Sequence, residues 1–358
     1  MLHRSILTKS RLAKTLLSLT LLFSAAITSA AEPFKVCWSI YVGWMPWGYG
    51  AEQKIVDKWA KKYGIEIEVV QINDYIESIN QYTAGQFDGC VMTNMDALTI
   101  PAAGGVDSTA LIVGDFSNGN DGIVLKGVNK SLKDIEGQNV NLVELSVSHY
   151  LLARGLETVG LKEADVKVVN TSDADMVAVY GTKDVTAVTT WNPLLSEILT
   201  QPNSTKVFDS SKIPGEIMDL MVVNTATLKK NPALGKALVG AWYEIMGVMS
   251  ANDKAAVTAK TAMATASGTD LAGFDAQLAS TKMFYTPASA LDLVNSDDLL
   301  KTMQKVAEFS FDHGLLGESA PDAKFIGVEG PKGVYGDKKN VKLRFDTTYM
   351  QLAADKKL

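Results

Sequence analysis

Arginine is nearly absent from this chain. Beyond the first thirty residues only Arg154 and Arg344 occur. Carboxylate, sulfonate and phosphate groups are gripped best by a planar, bidentate guanidinium, so an anionic ligand would have to rely on helix N-termini instead. Histidine is almost as scarce: past residue 30 there are only His149 and His313, far apart along the chain. No HExxH, GxSxG, GxGxxG or Walker loop is present, which removes the parts of metalloprotease, hydrolase and nucleotide-binding readings. Neither a metal nor a cofactor is expected. The 13 methionines fall at helical spacing and read as core filler. A basic excess is also missing. Four of the 34 Lys and Arg lie in the first thirty positions, leaving 30 against 40 carboxylates. Phosphate backbones need a basic face, so nucleic acid is excluded as a partner.

What the first thirty residues do hold is an address. Arg4, Lys9, Arg11 and Lys14 precede an apolar run from Leu16 to Ile27, and Thr28-Ser29-Ala30 supplies small residues before Ala31. That order is the pattern of a cleavable secretory signal, residues 1–30. The apolar run falls short of the roughly 20 residues that a membrane span needs. The remaining chain, of two-domain size, is expected to be a soluble monomer. Cys37 and Cys90 are its only cysteines. Export to an oxidising compartment leaves a disulfide open, but the expectation is two buried free thiols.

Strand and helix patterns alternate. Lys35–Ile40, Ile65–Ile72, Phe87–Thr93 and Thr109–Val113 read as strands, with helices over 51–63, 74–84 and 95–103 between them. A second series follows: strands near 122–125, 139–143, 166–169 and 185–189, with helices over 148–158 and 173–180. Leu220–Val223 reads as a strand returning to the first series, and 232–250 and beyond as a helical stretch rich in Ala and Met. The tail from Lys332 to Leu358 has no clear pattern. This rhythm predicts an α/β fold of two doubly wound lobes with parallel sheets. Lobe 1 would comprise residues 31–118 and 220–358, and lobe 2 residues 119–219. The segments 114–122 and 209–219 would cross between them as a hinge.

Ligands of doubly wound sheets bind at the carboxyl ends of strands. The loop after the first strand carries Tyr41, Trp44, Trp47 and Tyr49 among Gly and Pro, a mixture suited neither to a strand nor to a helix interior. Such rings stack planar ligands or face cations. Asn94 and Asp96 follow the third strand, where Thr93 or Asn94 would also cap a helix. In the second lobe Glu144 and Ser146 follow one strand and Trp191 and Asn192 another. Glu216 and Asp219 precede the returning strand.

The motifs Gly43-Trp44-Met45-Pro46-Trp47, Asn73 to Tyr82 and Thr93-Asn94-Met95-Asp96-Ala97-Leu98, with Ser148-His149-Tyr150 and Trp191-Asn192-Pro193, carry a resemblance. Over roughly residues 33 to 225 the chain is similar to the nitrate/sulfonate/taurine class of periplasmic solute-binding proteins. Within that class it looks closest to the branch associated with urea carboxylase gene regions. The resemblance implies a type II, Venus-flytrap fold, a periplasmic location, and permease and ATPase partners of an ABC importer in the inner membrane. It also implies urea or guanidinium as cargo.

Residue chemistry leans to the cation. Guanidinium has six N–H donors and no acceptor, so it wants carboxylates in its plane and rings above and below. The loops supply Asp96, Glu144, Glu216 and Asp219 with Trp44, Trp47 and Trp191. The same fold also serves pyrimidine-synthesising enzymes of thiamine metabolism, whose chemistry depends on histidine and a cysteine-rich iron-binding stretch. Cys37 and Cys90 are isolated, and no enzyme is expected here.

Overall fold

In the computed structural model, residues 32–358 are described, and the secretory leader read over residues 1–30 lies outside them. The β-branched and aromatic runs become strands: β1 (Phe34–Trp38), β2 (Ile67–Gln71), β3 (Gly89–Thr93), β4 (Ser108–Ser117), β5 (Asp121–Lys126), β6 (Asn139–Leu142) and β7 (Lys167–Asn170). They continue with β8 (Ala187–Trp191), β9 (Ser204–Asp209), β10 (Met218–Asn224), β11 (Thr281–Met283), β12 (Gly327–Gly330), β13 (Gly333–Tyr335) and β14 (Val341–Phe345). One sheet has the order β13-β12-β14-β4-β10-β3-β1-β2, with β11 along β4; the other has the order β7-β6-β8-β5-β9. The first sheet draws on both ends of the described chain and the second on its middle. Two lobes result.

The helices between the strands follow from spacing and caps. Tyr75–Thr83 buries Tyr75, Ser78, Ile79 and Tyr82, one face at a helical period. The Asp74 side chain caps it by accepting from the Glu77 amide at 2.9 Å. The helix Pro232–Ser250 lies within the core of the first lobe, where Leu238, Trp242, Ile245 and Met246 are buried.

Four expectations need correcting. The sheets are mixed rather than parallel: β10 runs antiparallel between β3 and β4, and β5 antiparallel between β8 and β9. A strand that enters a lobe from the other one arrives at the opposite end of the sheet and so runs backwards. The aromatic run after β1 is a helix, Met45–Glu52, with Pro46 in its first turn, where the missing N–H costs nothing. Its glycines serve packing, since a Cβ on Gly48 would stand 2.5 Å from the Trp38 ring. Cys37 and Cys90 are joined by a disulfide. They sit opposite each other on β1 and β3, 4.5 Å apart at Cα, so their side chains leave the same face of the sheet. Finally, the unpatterned tail completes the first sheet. β14 pairs in parallel with β4, and the helix Thr348–Ala354 docks Tyr349 and Met350 into the core.

Candidate ligand-binding site

Strand register builds the site. β3, β10 and β4 are neighbours, which sets Asp219 opposite Thr93 on one side and opposite Asp115 on the other. In the second sheet β5 pairs with β8 so that Asp121 stands opposite Trp191. Opposed residues share a face, so both sheets bring acidic and aromatic side chains to one place. Asp96 joins them from the short helix Asn94–Ala97 directly after β3. Tyr41, Trp44, Tyr75, Thr93, Asp121, Trp191, Ile217 and Asp219 line a small cavity. Asp115 lies immediately behind, beside Trp44 and Asp219.

The carboxylates are buried and lack cationic partners among the described residues. Asp96 and Asp115 are 0% exposed, and Asp121 and Asp219 are 3% exposed. Asp96 Oδ2 accepts from the Tyr75 hydroxyl at 2.6 Å and from the Thr93 hydroxyl at 2.8 Å, and the Val147 amide also bonds the carboxylate. Asp115 Oδ1 accepts from Tyr41 at 3.4 Å, and Asp115 and Asp219 are hydrogen-bonded to each other, with the proton on Asp219. Asp121 accepts from the Ser117 hydroxyl at 2.5 Å. Among the described residues no Lys, Arg or His forms an ion pair with any of the four.

Electrostatics follow from that isolation. Removal from water pushes Asp96 up to about 6, against lowering by the Tyr75 and Thr93 hydrogen bonds. Asp115 and Asp121 are pushed up to about 7 for the same reason. Asp219 is raised well above the ordinary carboxylate value, first by burial and then by the charge of Asp115.

Aromatic rings form the remaining wall. Tyr41 and Trp44 have centroids 4.9 Å apart, Trp44 and Tyr75 5.3 Å, and Tyr75 and Trp191 5.8 Å. Trp44 Nε1 is buried without a partner. A second, larger groove of about 590 Å³ is lined by Ile40, Asn73, Asp173, Trp191, Glu197 and Gln277 among others. Size alone would favour that groove. The small cavity is the better candidate because buried, uncompensated charge is costly and is tolerated chiefly for function.

A profile of the NMT1/THI5-like family matches residues 59–256. The chain belongs to that family. Solved structures share its fold at low identity. The alkanesulfonate-binding protein SsuA from Xanthomonas axonopodis pv. citri, bound to MOPS, has a TM-score of 0.67 and 16% identity, over 81% of this chain and 96% of that one. The periplasmic aliphatic sulphonate binding protein SsuA from Escherichia coli gives 0.64 and 17%, over 80% and 94%. The periplasmic nitrate-binding protein NrtA from Synechocystis PCC 6803 gives 0.64 and 14%, over 90% and 88%. These likenesses establish the two-lobed periplasmic binding protein fold. Among curated relatives, the "Putative binding protein" of Brucella abortus (strain 2308) is 28% identical over 102 residues, a stretch covering 28% of this chain and 31% of that protein.

Of the site residues read from sequence in this NMT1/THI5-like chain, Tyr41, Trp44, Trp191 and Asp219 line the cavity, and Asp96 stands behind it, bonded to Tyr75 and Thr93 of the lining. The others do not. Trp47 stacks on Trp242 at 5.3 Å, behind Trp44 in the core. Asn94 uses its amide to tie the lobe crossing, donating to the Glu216 carbonyl at 3.1 Å and accepting from the Met218 amide at 2.9 Å. Glu144 is exposed, because the chain turns outward directly after β6. Ser146 caps the helix Val147–Thr158, and Asn192 accepts from the Ser196 amide at 2.9 Å. Glu216 is matched by cations: it accepts from Arg154 Nε at 2.9 Å, Lys305 at 2.8 Å and the Tyr150 hydroxyl at 2.7 Å.

Sequence reading missed Tyr75, Asp115 and Asp121 as site residues. The oxygen-rich run from Asp115 to Asp121 was the available signal, and reading it only as a crossing hid that a crossing also faces the cleft. The two histidines are likewise not far apart in space. His149, Glu163 and His313 bring one ligating atom each within 4.8 Å of one another, the group of described residues best able to hold a metal.

Proposed function

We propose that this protein is the solute-capturing component of an ABC importer and that it holds a small planar cation, guanidinium or a compound bearing it. The observation that carries this reading is the set of four buried carboxylates without a cationic partner, walled by aromatic rings. A guanidinium ion would displace the proton that Asp219 shares with Asp115, donate to Asp121 and Asp219 in the cavity wall, and place its faces against Trp44 and Tyr75. The cavity is about 10 Å³, room for about one water molecule, so a guanidinium ion must widen it on binding.

The fold neighbours are described as binding sulfonates and nitrate. An anion in this cavity would meet Asp121 and Asp219 in its wall and Asp96 and Asp115 behind it, with no cationic side chain among the lining residues, so those ligands are not carried over. Urea is the second reading, supported by the resemblance to the urea carboxylase-associated branch. Its N–H groups suit the carboxylates, but it is neutral and leaves their charge uncompensated. Chemistry on the ligand is not proposed: neither histidine nor cysteine is among the residues lining the cavity. On this reading the protein works in the periplasm and delivers its cargo to a permease and ATPase in the inner membrane.

A thermal-shift panel of guanidinium, methylguanidinium, urea, nitrate and taurine on the mature protein tests the reading. Mass action raises the melting temperature only for ligands that bind the folded state. Guanidinium is expected to give the largest rise at equal concentration. A rise with nitrate or taurine and none with guanidinium would overturn the assignment.

A further inference from the structure

We propose that His149, Glu163 and His313 form a divalent transition-metal site, best matched to zinc, that ties the two lobes together at a distance from the ligand cavity. His149 stands in the first turn of the helix Val147–Thr158, between β6 and β7 of the second lobe. Glu163 opens the short turn Glu163–Asp165 of the same lobe. His313 closes the helix Asp298–Asp312, which packs on β12 and β13 of the first lobe. Glu163 is the hub. Its Oε1 is 2.5 Å from His149 Nε2, and its Oε2 meets His313 Nε2. Two imidazoles and one carboxylate are the donor set of zinc sites that keep a fourth position open.

The surroundings orient the ligands. His313 Nδ1 donates to the Phe309 carbonyl at 2.7 Å, which holds Nε2 toward Glu163; there it donates a proton that an ion would displace, and the Nδ1 bond is the one most metal-bound histidines make. The Phe309 ring lies over His313 at 4.0 Å and edge-on to His149 at 6.0 Å, fixing both rings. Each Glu163 oxygen faces one imidazole, Oε1 toward His149 and Oε2 toward His313, so the three donors already converge where an ion would sit. A groove of about 440 Å³ runs alongside, with Glu308, Asp312 and His313 on one bank and Leu161, Lys162 and Glu163 on the other. It gives the ion a path and room for a water as fourth ligand.

One contact must yield on loading. His149 Nδ1 accepts from the Leu145 amide at 3.1 Å, whereas a metal on Nε2 requires the proton at Nδ1. Leu145 is free to move away: it is exposed, and its φ of 64° is in a region that side-chain-bearing residues disfavour. Because the ligands come from both lobes, the ion binds the closed arrangement in preference to an open one and shifts the population toward it.

Calorimetry of zinc into mature protein stripped with EDTA tests the site, with scattering to follow lobe closure. The expected result is one zinc per chain with a dissociation constant of about 10 µM or tighter, and compaction without any other ligand. His149→Ala and His313→Ala should each weaken binding by about 100-fold or more, while circular dichroism and guanidinium binding show that both variants are folded. Absence of saturable binding below about 100 µM, or wild-type affinity in both variants, would overturn the proposal. So would a trio that alters only the pH dependence of melting, which would make it a hydrogen-bonded latch without metal.

Discussion

Four carboxylates buried around one cavity cannot all remain ionised without a cation, because each has lost water and faces like charge. Asp219 bears the strongest effect, and in the ligand-free protein it holds its proton well above the ordinary carboxylate range. Asparagine imitates that protonated form but cannot ionise for a cation. Asp219→Asn should therefore melt at or above the wild-type temperature without ligand, with a margin that widens as pH rises. The same change should weaken guanidinium binding by about tenfold to a thousandfold, at ~1.4 kcal/mol per decade. Most losses of a buried group lower stability, so opposite signs on stability and affinity mark a residue kept for binding. Glu144→Gln is the control: Glu144 is exposed after β6, and neither quantity should move. Melting curves and calorimetry on both variants measure this, and loss of both stability and affinity in Asp219→Asn would make the residue structural.

At the scale of elements, the turn between β1 and the helix Met45–Glu52 holds the pocket's aromatic wall in place. A Cβ on Gly43 would lie 2.4 Å from Asp115 Oδ2 and 2.7 Å from the Tyr41 ring. Gly43→Ala must therefore push Tyr41 and Asp115 apart. Affinity should fall at least about tenfold with only a modest loss of stability, of order 1 kcal/mol, and unchanged affinity would show the close approach to be incidental. Elements were legible in the sequence wherever a residue's role was local. The face Tyr75, Ser78, Ile79, Tyr82 fixes its helix, and the helix read from Pro232 onward starts at Pro232, though it stops at Ser250 rather than continuing beyond. What depends on pairing across the chain was not legible. Cys37 meets Cys90 only because β1 and β3 align as they do, and Asp115 meets Asp219 only because β10 inserts between β3 and β4. Trp44 and Trp47 look equivalent in sequence, yet one turn of helix sends the first toward the cavity and the second onto Trp242. The tail gave no pattern because β14 is a short edge-side strand whose partners, β4 and β12, are themselves distant in sequence.

For the whole molecule the buried acids link cargo, protons and stability. Asp96 at about 6, and Asp115 and Asp121 at about 7, stand above the unfolded value of 3.8, so the folded protein holds more protons than the unfolded chain between about pH 4 and 7. Stability of the ligand-free protein is thus greatest at the acid end of that window and declines as pH rises through it. A bound cation removes the decline by favouring the ionised carboxylates, and it releases protons as it binds. The most direct measurement is calorimetric titration of guanidinium and urea between pH 5.5 and 8, in buffers of differing ionisation enthalpy. Guanidinium carries the same charge across this range, so any trend belongs to the protein. Its affinity should climb with pH by about tenfold or more, with proton release near the midpoint, while urea binds weakly and without a trend. A guanidinium affinity that is flat or falls with pH, or tighter binding of urea, nitrate or taurine, would contradict a cation site built on Asp96, Asp115, Asp121 and Asp219.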